Sequence, residues 1–207
     1  MSWGTLLTNG SFENSPVNIP GSPGFITVGS PNTWVLPGWT VAFGNIDYIG
    51  PYWQAAHGSR SLDLNGFNSQ GTIYQTFPST PGQRYLVTFA LAGNPDLQPR
   101  WANIRVWVHD GLNTFDSADF NYWVSGQTRS SMGWRYVNWT FTAQSVFTTL
   151  GFTSLDNSAE DYWAPHGYSF GPALDDVSVI PIPIPEPATL ALVGLGLIGL
   201  GFLRRKS

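Results

Sequence analysis

Apolar and polar positions alternate with a period of two along most of this chain, and no stretch before the C-terminal tail keeps a helical period for three turns. Between Arg84 and Ala92, the residues Tyr85, Val87, Phe89 and Leu91 fall on one face. Between Ala102 and His109, Ile104, Val106 and Val108 share a face, with Arg105, Trp107 and His109 opposite. Both patterns predict half-buried strands. Further strands are predicted at 39–43, 46–49, 61–64, 72–77, 135–141, 148–153 and 177–180. Turn chemistry separates them: Thr80-Pro81-Gly82-Gln83 has Pro and Gly where a type II turn wants them, and breaks fall at Pro37-Gly38 and Gly93-Asn94-Pro95. Many short strands without helices predict an all-β fold, a two-sheet sandwich or jelly roll. Trp39 and Trp139, both within alternating strands, are assigned to its core.

The pattern changes at the C-terminus. Pro185-Glu186-Pro187 precedes an uncharged apolar stretch from Ala188 to Leu203, and then comes Arg204-Arg205-Lys206-Ser207. As a helix the stretch covers about 24 Å, a little short of a hydrocarbon core of about 30 Å, so flanking residues must help it cross. The terminal cations would stay cytoplasmic, leaving everything before Pro185 across the membrane. A core helix or an ordinary membrane anchor is the alternative, but a core helix does not normally end in consecutive cations at the chain terminus. The three elements together resemble the PEP-CTERM sorting tail of Gram-negative bacteria. That resemblance implies recognition by an exosortase through Pro185, Glu186 and Pro187, with Arg204 and Arg205 behind a transmembrane helix. Cleavage near the motif would follow an inner-membrane stage and send the domain to the cell surface or extracellular matrix.

The chain therefore divides into a leader remnant or start at 1–4, one domain at 5–180, a Pro-rich spacer with the motif at 181–187, a membrane helix at 188–203 and a cationic tail at 204–207. Export needs a signal peptide, and Met1 to Thr5 has neither a cationic start nor an apolar run, so removal of the signal is expected. The spacer, Pro181-Ile182-Pro183-Ile184-Pro185, is expected to be extended and unpaired.

Composition narrows the chemistry. Charged residues are 11 %, against about 25 % in an average soluble protein, while aromatics reach 15 % with 10 Trp. A net charge of −4, with Lys206 as the sole lysine, argues against nucleic acid, which needs clustered cations to displace counterions. The absence of cysteine excludes disulfides, thiolate catalysis and Cys-ligated zinc.

Two blocks carry a family resemblance: Asn45-Ile46-Asp47-Tyr48-Ile49-Gly50-Pro51-Tyr52-Trp53 running on to Gly66, and Gly171-Pro172-Ala173-Leu174-Asp175-Asp176-Val177-Ser178-Val179. They resemble the choice-of-anchor C family, relatives of the DUF642 proteins of plant cell walls, over residues 5–180. The resemblance implies a galactose-binding-like jelly roll. More distantly, Asn9-Gly10-Ser11-Phe12-Glu13 and Leu174-Asp175-Asp176-Val177 are similar to the two ends of carbohydrate-binding modules. That likeness implies paired termini holding a structural calcium ion through Glu13 and Asp175, with Asp176 less favoured. Hard carboxylate oxygens suit calcium, yet the same groups could simply accept hydrogen bonds from backbone amides.

Catalysis is not favoured. Sequence cannot show whether any two of Asp47, Asp63, Asp96, Glu160 and Asp161 face each other at a hydrolytic spacing, and His57, His109 and His166 lack both a serine elbow and a zinc motif. Binding of a polysaccharide is the positive expectation, because sugar rings stack on aromatic faces and their hydroxyls pair with amides and ions. Trp107, flanked by Arg105 and His109, could be a platform on an exposed sheet, with Tyr52, Trp53 and Trp163 on loops as further candidates. Most Trp residues of a sandwich pack its core instead. A structural matrix or coat protein is the alternative, and a glycan-active hydrolase is less favoured. The discriminating feature is an exposed group of at least two aromatics beside amide or acidic side chains.

Overall fold

The computed structural model describes residues 4–156 and 169–183. The expected membrane helix, the Pro185-Glu186-Pro187 motif, Arg204, Arg205 and Trp163 lie outside the described residues, as do Glu160, Asp161 and His166. Among the described residues there is no helix, and none therefore is long and apolar enough to cross a membrane. The strands are β1 (Phe25–Gly29), β2 (Thr40–Phe43), β3 (Asn45–Ile49), β4 (Ser61–Asp63), β5 (Asn65–Gly66), β6 (Ser69–Gln70), β7 (Thr72–Pro78), β8 (Arg84–Gly93), β9 (Arg100–His109), β10 (Thr114–Val124), β11 (Arg135–Thr142), β12 (Phe147–Ser154) and β13 (Pro172–Pro181).

They form a sandwich. One sheet has six strands in the order β1-β3-β4-β13-β8-β11, the other five in the order β10-β9-β12-β7-β2, and β5-β6 is a small hairpin. From β7 onward the chain repeatedly crosses between the two sheets, as in a jelly roll. The alternation of β8 and β9 explains why these sheets stack: Tyr85, Val87, Phe89 and Leu91 point inward from one, and Ala102, Ile104, Val106 and Val108 from the other. Phe89 meets Phe152 edge-on between the sheets, at 5.2 Å between ring centroids. Trp39 is buried there too, and its indole N–H donates to the Asn9 carbonyl at 3.0 Å. Trp139 is only half-buried, because β11 is an edge strand, and it packs beside Phe141.

Besides the two-residue strands β5 and β6, two strands escape the sequence pattern. β1 and β10 are both edge strands, and the inward positions of β10 include the small Ala118 while Trp123 points outward, which blurs the alternation. β13 also starts earlier than the pattern predicts. A register shift between Asp175 and Ser178, with Asp176 at φ 46, bulges the strand and splits its acidic pair, leaving Asp175 buried and Asp176 half-buried. At its far end the expected unpaired spacer is corrected: Pro181 pairs with Tyr85, and the Ile182 N–H donates to the Arg84 carbonyl at 2.9 Å. Proline removes one donor but leaves its carbonyl and the next amide free to bond.

The termini pair as expected. Leu6 N–H donates to Val179 O at 2.8 Å, and Val177 N–H donates to Gly10 O at 2.9 Å. Gly10 is needed for this approach, since a Cβ there would fall 2.0 Å from the Val177 oxygen.

Candidate functional site

The outer face of the five-stranded sheet carries the arrangement that the pattern of β9 predicts. Arg105, Trp107 and His109 all point away from the core, and β10 adds partners by register: Trp101 lies opposite Trp123, Asn103 opposite Asn121, Arg105 opposite Asp119 and Trp107 opposite Ser117. Trp101 and Trp123 are 53 % and 46 % exposed, with ring centroids 5.0 Å apart. Six residues along a strand is about 20 Å, so the aromatic pair and Trp107 stand at two ends of one polar row. Sequence reasoning missed the pair because it missed β10.

Trp107 is held rather than free. Its ring lies over Gly151 of β12, where a Cβ would meet Cζ2 at 2.1 Å, and its N–H donates to Thr153 Oγ1 at 3.0 Å. Thr153 in turn bonds to Thr72 Oγ1 at 3.1 Å, so three strands fix one indole. Arg105 grips Asp119 through two bonds of 2.6 and 2.7 Å, which holds the Asp119 carboxyl below its ordinary range. His109 Nδ1 accepts from Gly111 N–H at 2.8 Å, so the neutral ring carries its proton on the other nitrogen. Arg105, Trp107 and His109, together with Ser117 and Thr153, line a shallow depression of about 470 Å³. Flat apolar faces, hydroxyls and a fixed ion pair can stack on and hydrogen-bond to a polyol.

The loop candidates sit elsewhere. Trp53 is only 5 % exposed, because the segment after β3 folds back and its indole N–H donates to Ser61 Oγ at 2.8 Å. It is a packing residue and not an open platform. Tyr52 is half-buried and donates to Asp96 at 2.5 Å, with the Arg129 guanidinium 4.0 Å from its ring centre. Burial and then Asp96 push the Tyr52 hydroxyl up to about 12. Both line a pocket on the six-stranded sheet and not the Trp107 face.

Glu13 and Asp175 converge on one loop. Glu13 accepts from Ser59 N–H at 2.9 Å and Arg60 N–H at 2.7 Å, while Asp175 accepts from Ala56 and His57 N–H at 2.8 and 2.9 Å. Asp176 points away and accepts from Tyr136 at 2.7 Å. Burial pushes Asp175 up to about 7 despite its amide partners. The donor set suits a hard cation in type, with carboxylates from both ends of the chain. No cluster of three His, Cys, Asp or Glu occurs among the described residues, so an ion would need loop carbonyls as well.

Known proteins resemble this chain at several levels. The family model described as "Protein of unknown function (DUF642)" matches residues 5–180. The chain belongs to the DUF642 family. Behind the DUF642 domain, the PEP-CTERM protein-sorting motif matches residues 183–206. Halomucin of Haloquadratum walsbyi is 32 % identical over 178 residues, which is 84 % of this chain and 2 % of Halomucin. Among solved structures, an arabinose-bound α-L-arabinofuranosidase superposes with a TM-score of 0.53 at 14 % identity, over 87 % of this chain and 27 % of that one. The CBM22-1 xylan-binding domain from Paenibacillus barcinonensis gives 0.48 at 12 % identity, over 77 % and 95 %. These likenesses concern the fold.

Proposed function

We propose that this DUF642 domain is a non-catalytic polysaccharide-binding module of an exported, surface-associated protein, delivered by an exosortase acting at Pro185-Glu186-Pro187. The observation that carries the reading is the outward row on β9 and β10, in which Trp101, Trp123 and Trp107 are spaced by amides and an ion pair. Exposed Trp in such number is informative, whereas a single exposed apolar residue is not. The PEP-CTERM motif supports export and surface association, and Halomucin is a relative consistent with it.

Binding fits this face better than hydrolysis. A glycosidase needs a carboxyl raised to act as an acid, and Asp119 is instead kept ionised by Arg105. Calcium at the Glu13 and Asp175 loop is proposed as a clasp added to hydrogen bonds that already close the domain. A glycan array probed with the protein tests the function directly. Retention of at least one polysaccharide without turnover is expected. Turnover would make it a hydrolase, and the absence of any ligand would leave a structural matrix role.

A further inference from the structure

The six-stranded sheet carries a second, unrelated cavity. Its volume is about 260 Å³, smaller than pockets for drug-sized ligands, and its walls include Phe25, Tyr52, Phe67 and Asn94 around Asp47 and Asp63. The two carboxylates are cross-strand partners of β3 and β4, so they lie side by side on one face. They differ in what satisfies them. Asp63 accepts from Asn65 N–H and Gly171 N–H at 2.9 Å each and from the Asn94 amide at 2.8 Å, which ties three strand ends together. Asp47 is 8 % exposed, and among the described residues its only hydrogen-bond donor is Thr27, at 2.5 Å to one oxygen. The other oxygen lacks a donor while the side chain lines an aromatic cavity.

We propose that this cavity takes a primary ammonium group, with Asp47 as its acceptor and the aromatic walls around its charge. A neutral polyol would supply a donor but leave two adjacent carboxylates desolvated further, whereas N⁺–H supplies both the donor and the opposite charge. Aromatic faces stabilise an organic cation. A metal ion fits less well, because both Asp63 oxygens are taken by amide donors and the Asn94 oxygen by the Asp96 N–H, which leaves Asp47 and the Thr27 hydroxyl with few further hard oxygens to replace its water. Burial pushes Asp47 up to about 6, in keeping with a charge that has no cation beside it. The groups facing it are Thr27 from β1, Asp63 from β4, and Tyr52 and Asn94 from the loops. The ammonium could come from an amino sugar or from a lysine side chain.

Isothermal titration of the full chain with glucosamine, Nα-acetyl-lysine methylamide, choline and glucose tests this. At pH 7 a primary ammonium should bind at least about tenfold more tightly than glucose or choline, equivalent to about 1.4 kcal/mol. Preference for glucosamine assigns an amino sugar, and preference for the lysine derivative assigns a protein partner. Affinity should fall from pH 7 to pH 5 as Asp47 takes up a proton. Asp47→Asn should abolish the preference and leave retention of a neutral polysaccharide on the Trp107 face unchanged. Phe67→Ala, at a 68 % exposed rim position, gives a second, fold-neutral variant that should weaken it. Binding of glucose equal to that of both ammonium compounds, no ammonium binding, or ammonium binding unaltered in both variants would overturn the assignment.

Discussion

The indole of Trp107 rests on Gly151 of the neighbouring strand so closely that a methyl group there would fall 2.1 Å from Cζ2. A glycine with no Cβ thus makes the seat of the ring, and Thr153 fixes the ring's edge through its N–H. The ring is held in place, so a ligand stacking on it as proposed need not pay to order it.

Gly151→Ala should therefore displace Trp107 without touching the sandwich core. Overpacking of this kind costs about 1–3 kcal/mol of stability, and it should weaken glycan retention by a larger factor than the fold is weakened. Denaturant unfolding and affinity electrophoresis on this variant check both halves. Unchanged retention would mean that the seated ring is not what the ligand meets.

Stability should fall as pH rises from about 4 to about 7. Burial raises Asp47 to about 6, Asp175 to about 7 and Asp63 well above the ordinary carboxylate range. The folded state then binds protons more readily than the unfolded chain, so the contribution is complete below about pH 4 and is lost as pH passes the folded values. Asp110 and Asp119 are held low, and their opposite contribution lies below about pH 4. Thermal melts across pH 4 to 7.5 should show the decline, and Asp175→Asn should flatten it. A steady rise in melting temperature over the same range would contradict the assignment.

Calcium should act on the same carboxyl. An ion held by Glu13 and Asp175 keeps Asp175 ionised, so its stabilisation should be greater at pH 7 than at pH 5. At a hundred times its Kd the gain is about 2.7 kcal/mol, and Glu13→Gln should remove most of it. Equal melting temperatures in calcium and in EDTA would show that the amide bonds of Ser59, Arg60, Ala56 and His57 close the loop alone.

What could be read in the sequence depended on how far each signal is local. Inward and outward positions of β8 and β9 follow from alternation, so the direction of Trp107 was legible from its neighbours Val106 and Val108. The pairing of Trp101 with Trp123 was not, because it needs the register of an edge strand whose own alternation is blurred. Asp47 and Asp63 are sixteen positions apart and meet only through the β3 to β4 pairing. Trp53 shows the opposite limit: Pro51 and the residues around it read as a loop, and a loop folded over a sheet buries its aromatics as a strand would.

Sorting can be tested apart from the fold. Glu186 is the charged residue of the Pro-Glu-Pro motif, so Glu186→Ala should leave unprocessed protein in the membrane of a cell that contains an exosortase. Immunoblotting of membrane and surface fractions reads the outcome. Equal processing of the variant and the parent would remove the motif from the recognition step.

The most direct test of the account is Trp107→Ala, measured for glycan binding and for denaturant unfolding in the same preparation. Trp107 stands on the outer face and is half-buried, whereas Trp39 is fully buried between the sheets. The account predicts that Trp107→Ala loses most of the glycan affinity while costing clearly less than the about 3–5 kcal/mol expected for a core tryptophan such as Trp39. A loss of that full size, with no glycan bound by the parent protein, would make Trp107 a packing residue and contradict the proposed function.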